Sequence, residues 1–291
     1  MPPEEPLITV GMPSYNKAPY LSEAIESILA QSYTNFELVI SDDRSSDGSA
    51  EICAAYAQRD SRVRFVSQPD NLGMIANFDF VLNEAKGEYF MWFSADDRVD
   101  PNWLETCLKA CDEGGVIGFG QVADVRQDGS IKRRYPLSSV TGSRLSRICS
   151  LYWTMLQECN MLHGVTRTER VRKMGGLRPY AFAGIAFDFL YVWDSALQGE
   201  LIAKPCAWLY KRDSINNGLI QRAGRGSLLL HALWPAVPIR RVLLFHRTRL
   251  PLRYMLVLAL MFFPRCAYAL MKWYAKGYNM IARRKKTESI A

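Results

Sequence analysis

Apolar and polar positions follow two alternating periods along the first two thirds of the chain. Residues 7–12 (LITVGM) form a short apolar run closed by Pro13, the pattern of a buried strand. In residues 20–30, Leu21, Ala24, Ile25, Ile28 and Leu29 recur at helical spacing. Strand-like runs then return at 36–40, 63–66 and 89–93, with helical stretches at 49–58 and 75–85 between them. Gly87 stops the last of these helices. Strict alternation of strand and helix predicts an α/β fold, a mostly parallel sheet covered on both faces. Beyond residues 103–111, residues 116–125 read as a further strand, and Asp128-Gly129 as a hairpin turn toward Ile131. Residues 188–197 read as a helix and 201–207 as a last strand.

The texture changes from Leu228. Apolar blocks at 228–233, 242–245 and 255–263 alternate with arginines 240, 241, 247, 249, 253 and 265, and prolines 235, 238, 251 and 264 cut them short. Charge follows the same division. The chain carries a net +7, yet residues 222–291 hold 14 Lys or Arg against Glu288 alone. The other 221 residues therefore hold 22 basic against 28 acidic side chains, a net of −6. We expect a catalytic domain over 1–221 and a basic, apolar helical tail over 222–291.

An apolar segment of about 20 residues is needed to span a bilayer. Residues 254–275 have the length, but Pro264 and Arg265 would lie at mid-membrane, where an arginine costs about 2.5–3.5 kcal/mol. Short amphipathic helices lying on an anionic membrane surface fit better, with Trp234, Trp273 and Tyr274 at headgroup level. An oligomer interface is the alternative role for the tail. Nucleic acid is not expected as partner, because the basic positions alternate with long aliphatic blocks. Residues 1–7 hold two glutamates and three prolines, which is no signal peptide, and the enzyme is expected on the inner, cytoplasmic face of the membrane. Seven cysteines without a CxxC pair read as reduced, buried thiols.

Chemistry concentrates at three strand ends. The first strand leads into Pro13-Ser14-Tyr15-Asn16, the second into Asp42-Asp43, and the fourth into Asp96-Asp97. In an open parallel sheet, ligands bind beyond the carboxyl ends of the strands. Adjacent carboxylates there repel unless a cation separates them, and hard oxygen ligands suit Mg²⁺ or Mn²⁺ bridging to a diphosphate. An aspartate can accept the imide N–H of uracil or thymine, and a tyrosine can stack on the base. Singly, each Asp-Asp pair also fits a solvated turn or a helix cap.

The stretches ITVGMPSYN (8–16), AIESILAQSYTNFELVISDDRSSDGS (24–49), DNLGMIANFDFVLNEAKGEY (70–89) and FSADD (93–97) resemble family 2 glycosyltransferases, which have the GT-A fold. The resemblance implies an inverting transfer from a nucleotide-sugar donor, UDP- or dTDP-linked, to a glycan or lipid-linked acceptor in polysaccharide synthesis. It implies that Pro13 and Tyr15 line the base pocket, that Asp43 receives the imide, and that Asn77 lies near the donor. Asp96 would face the ribose or sugar, and Asp97 would ligate Mn²⁺ or Mg²⁺. The chain departs from the family at Ser94, where many relatives carry Asp, and at Asp213, where they often carry His. Lys211 and Arg212 beside it could pair with phosphate.

Direct displacement also needs a carboxylate to deprotonate the acceptor hydroxyl. Asp188 stands where the family keeps that base, with Asp194 the next candidate and helix capping the alternative role. His163, just before Gly164, is a lone histidine of the kind more often structural than catalytic. Two other functions compete with the transferase. A sugar nucleotidyltransferase would need a glycine-rich loop after the first strand, and PSYNKAPY has no glycine. A degenerate, non-catalytic scaffold would fit the two departures.

Overall fold

The computed structural model describes residues 5–154, 160–177 and 187–212. In chain order its elements are β1 (Ile8–Ser14), α1 (Ala18–Leu29), β2 (Phe36–Asp42), α2 (Ser49–Arg59), β3 (Val63–Ser67), α3 (Met74–Asn83), β4 (Tyr89–Trp92) and β5 (Arg98–Val99). Then follow α4 (Trp103–Asp112), β6 (Ile117–Val125), β7 (Ile131–Tyr135), α5 (Arg144–Thr154), β8 (Thr166–Arg167), α6 (Thr168–Met174), α7 (Phe187–Gln198) and β9 (Leu201–Arg212), with a 3-10 turn at Asn160–His163 before β8. One sheet runs β3-β2-β1-β4-β8, parallel except for β8. The second runs β5-β9-β6-β7, with only the β6–β9 pair parallel. This is the α/β arrangement of a mostly parallel sheet flanked by helices that the alternation predicts.

Side-chain alternation decides which helix covers which face. Ile8, Val10 and Met12 of β1 are fully buried in one core cluster with Leu21, Ala24, Ile25 and Ile28 of α1. Each such side chain contributes about 1.5–3 kcal/mol by leaving water. On the opposite face Gly11 lets α3 approach, since a Cβ there would lie 2.8 Å from both Phe90 and Val81 side chains. The Asp47 carboxylate joins two helix starts, accepting N–H from Ala18 at 3.0 Å and from Ser49 at 3.1 Å.

Strand β1 runs two residues beyond the apolar run, through a proline. Asp43 donates its N–H to Ser14 O on the β2 side, and Phe93 donates to Gly11 O on the β4 side. Successive residues face opposite neighbours, so the N–H that Pro13 lacks would face the β4 side, just where that strand has ended. Strand β9 runs five residues past the expected end at Ala207. Its register against β6 jumps between Ala203 and Trp208, and the bulged stretch contains Pro205, where no ladder N–H is needed.

Candidate active site

The parallel strands bring three polar ends to one edge of the first sheet. The loops after β1 and β2 are knitted together there. Asn16 donates its N–H to Ser45 Oγ at 2.8 Å and accepts the Ser46 N–H on Oδ1 at 2.9 Å. Asn16 and Arg44 sit at φ of +52° and +62°, left-handed conformations that side chains other than glycine adopt at some cost.

Asp43 is buried, and both carboxylate oxygens hold the loop after β3. Oδ1 accepts Leu72 N–H at 2.6 Å and Oδ2 accepts Gly73 N–H at 3.0 Å. Each oxygen keeps a lone pair for a ligand. Pro13 is buried at the end of β1, and Tyr15 just beyond is half exposed. Leu72, on the loop held by Asp43, and Met74, the first residue of α3, are also exposed, so three large apolar side chains stand on the segments beside this carboxylate. Asn77 lies below. Its amide donates to Ser41 O at 3.1 Å and Ser14 O at 3.4 Å and accepts from Ser41 Oγ at 2.6 Å. Asn77 therefore braces the ends of β1 and β2 from α3, as a buried strut under the pocket.

The acid pair follows β4. Asp96 is paired with Lys17, from the loop before α1. Asp97 is buried, and its Oδ1 accepts the Arg212 N–H at 2.9 Å. Burial, then the adjacent Asp96 carboxylate, push the Asp97 carboxyl up to about 7. A buried carboxylate pressed by a neighbour fits a hard divalent cation. Among the described residues no group of three or more His, Cys, Asp or Glu gathers.

The Arg212 guanidinium is engaged by the chain itself. It is buried over the Tyr20 ring, pairs with Glu23, and donates to Asp96 O at 3.2 Å and Gln127 O at 2.8 Å. It ties α1, the acid pair and the β6–β7 turn to the end of β9. Lys211 is exposed, and its ammonium donates to Asn160 Oδ1 at 2.9 Å. Neither the Arg212 knot nor the Lys17 pair was legible in the sequence, because both depend on chain-distant partners. The place of Lys17 directly after PSYN was the available signal.

Asp188 lies in the first turn of α7, half-buried, where the helix dipole favours a carboxylate. Tyr191, one turn later, packs edge-on against Trp92 at 5.1 Å, which docks α7 on the last residue of β4. Asp194, six residues on, is turned about 120° around the helix from Asp188. Asp213 and residues 214–291 lie outside the described residues. His163, in the turn before β8, is 6% exposed, and its Nδ1 meets Trp92 O at 3.0 Å. Burial lowers its pKa to about 4, so the ring is neutral.

Known proteins resemble this chain in sequence and in fold. The family model described as glycosyl transferase family 2 matches residues 9–168. The putative teichuronic acid biosynthesis glycosyltransferase TuaG of Bacillus subtilis is 32% identical over 127 residues, 43% of this chain and 50% of that one. The matched stretches cover between 14% and 50% of the first curated relatives. Among solved structures, Staphylococcus aureus TarS 1-349 in complex with UDP aligns with a TM-score of 0.56 at 20% identity, over 71% of this chain and 60% of that one. The mannosyltransferase PcManGT from Pyrobaculum calidifontis, in complex with GDP-Man and Mn²⁺, aligns with a TM-score of 0.53 at 18% identity, over 92% of this chain and 82% of that one.

Proposed function

Because this chain belongs to glycosyl transferase family 2, whose model matches more than half of it, we propose that it moves a sugar from a nucleoside diphosphate donor to a hydroxyl acceptor, with inversion. The observation that carries this reading is the convergence at one sheet edge of buried Asp43, with exposed Tyr15, Leu72 and Met74 on the segments beside it, and the pair of half-buried Asp96 and buried Asp97. A base stacks on Tyr15 against Pro13. Asp43, held by two backbone N–H groups, accepts an imide N–H, which favours uracil or thymine. The diphosphate lies against Asp96 and Asp97. Mn²⁺ or Mg²⁺ held by Asp97 would neutralise charge building on the leaving diphosphate. TarS binds UDP and PcManGT binds GDP-Man with Mn²⁺, which supports the donor class and the cation.

Asp188 takes the proton of the acceptor hydroxyl as that oxygen attacks the anomeric carbon. The new C–O bond forms on the face opposite the departing diphosphate, and the C–O bond to phosphate breaks. The acceptor is a glycan or a lipid-linked precursor of a cell-surface polysaccharide, and TuaG, by its name, works in such a synthesis. The basic tail would hold the enzyme on the inner membrane face, where such precursors are presented. Among the described residues no helix is long and apolar enough to cross a membrane.

The test is release of nucleoside diphosphate from a panel of UDP-, dTDP- and GDP-sugars, with Mn²⁺ or with a chelator. Asp188→Asn should keep diphosphate affinity within about twofold and lose turnover by 10²–10⁴-fold, on the order of 3–5 kcal/mol of barrier. Near-normal turnover would move the base to Asp194. Binding of no member of the panel, with or without metal, would leave the degenerate scaffold as the reading.

A further inference from the structure

The turn at Asn160–His163 enters the first sheet beside β4, and its histidine has no part in the chemistry above. Strand β8 pairs with β4 only at Tyr89 and Phe90, so the Trp92 carbonyl on that side has no strand partner. The His163 side chain fills the position, with Nδ1 at 3.0 Å from Trp92 O. A carbonyl oxygen can only accept, so Nδ1 carries the ring proton and Nε2 presents a lone pair. Among the described residues no donor meets Nε2, and this nitrogen is not one of the fully buried side-chain atoms left without a partner, so the ring is enclosed (6% exposed) while its Nε2 stays open to solvent. An acceptor that solvent can reach in an otherwise enclosed ring is open to a ligand hydroxyl, which would take the place of water there.

Position narrows the ligand. Along the sheet edge, Asp43 and Tyr15 follow β2 and β1, and Asp96-Asp97 follow β4. A nucleotide sugar laid along that edge puts its base over β2 and β1 and its diphosphate at the acid pair. The sugar then lies past β4, on the side of β8 and α7, where His163 stands. Lys211 and Asp96 are the charged groups that act on this imidazole, and Lys211 is bonded to Asn160 in the same turn.

We propose that His163 Nε2 accepts a hydrogen bond from a hydroxyl of the transferred sugar, making this residue a determinant of donor-sugar choice. This rests on the reading that the crevice holds a nucleotide sugar. Two substitutions separate the two ends of the ring. In His163→Asn an amide nitrogen stands near the Nδ1 position and can keep the bond to Trp92 O, while the Nε2 arm is lost. In His163→Gln an amide oxygen reaches the Nε2 position.

The experiment titrates UDP, dTDP and GDP, and the glucose and N-acetylglucosamine or mannose conjugate of each, into the full chain with Mn²⁺. The readout is the ratio of sugar-conjugate affinity to plain diphosphate affinity. His163→Asn should keep diphosphate affinity within twofold and lower the ratio roughly tenfold, whereas His163→Gln should hold it within about threefold. A ratio unchanged in His163→Asn overturns the proposal, as does an equal loss for diphosphate and conjugate, which marks a structural role. Turnover that falls with the ratio unchanged assigns the ring to the acceptor instead. If the unaltered chain binds no diphosphate at all, the donor-site reading fails before the variants are compared.

Discussion

At the residue scale the site holds its charges under tension. Asp97 is buried beside Asp96, and its carboxyl is raised to about 7. A carboxyl whose pKa is higher in the fold than in the unfolded chain favours its protonated form in the fold. The metal-free protein is therefore penalised as pH rises from about 4 toward about 7, and the penalty is complete above that. Asp97→Asn removes the charge while an amide oxygen can still accept the Arg212 N–H. We expect the variant to melt above the parent at pH 8 without metal, by roughly 2–4 °C per kcal/mol relieved, and level with it at pH 4. Mn²⁺ with UDP should stabilise the parent and not the variant. Thermal scans at the two pH values decide, and equal melting at both would mean the carboxylate bears no penalty. The placing of Asp43, Asp96 and Asp97 just beyond strand ends was legible in the sequence, because acid pairs after apolar runs are local patterns. Arg212 was misread as a phosphate partner, because its burial over Tyr20 and beside Glu23 depends on residues some 190 positions away.

At the element scale, close approach of backbones positions the second sheet. A Cβ on Gly118 of β6 would lie 2.0 Å from the Cys107 carbonyl oxygen of α4, and one on Gly120 would lie 2.4 Å from Ala207 O and from the Trp103 ring. Helix α4 cannot yield easily. Trp103 at its start is buried, with its indole N–H directed at Met91 Sδ, 3.2 Å away, and at His163 O, 3.3 Å away. Gly118→Ala should cost about 2–3 kcal/mol or more, as overpacking at a rigid contact does, and denaturant unfolding measures it. A loss under about 0.5 kcal/mol would show that α4 floats on β6. Elements with four or more periodic residues were legible: β1 to β4, α1 to α3, β6 and α7 fall within two residues of the expected bounds at nearly every end. Strands β5 and β8, two residues each, were not, since they exist only through pairing with β9 and β4. Nor were α5 and α6, the latter a run of seven residues crowded with charge. The end of β9 was missed because Trp208 and Tyr210 alternate with buried Ala207 and Leu209, a period that appears only once the strand is drawn past the bulge.

At the scale of the whole molecule, the charge split between residues 1–221, net −6, and residues 222–291, net +13, predicts two separable forces if the latter meet a membrane. Attraction of the arginines to anionic lipid weakens with salt, as the Debye length falls from about 10 Å at 0.1 M to 3 Å at 1 M. Burial of the aliphatic blocks does not weaken with salt. High salt should release only part of the protein from anionic vesicles, and detergent all of it. A chain ending at Gln221 should stay in the supernatant. Failure of the full chain to sediment at low salt would favour the oligomer interface for the tail. The order β5-β9-β6-β7 has a further consequence, for the making of the protein. Strand β9 slots between two strands that leave the ribosome long before it, and Asp97 waits 115 residues for the N–H of Arg212. At about 5–20 residues per second that wait lasts roughly 6–23 s. A nascent chain thus carries Asp97 for seconds without the backbone N–H that holds it, while Asp96 already has Lys17, and the acid pair is fixed only once the end of β9 has been made.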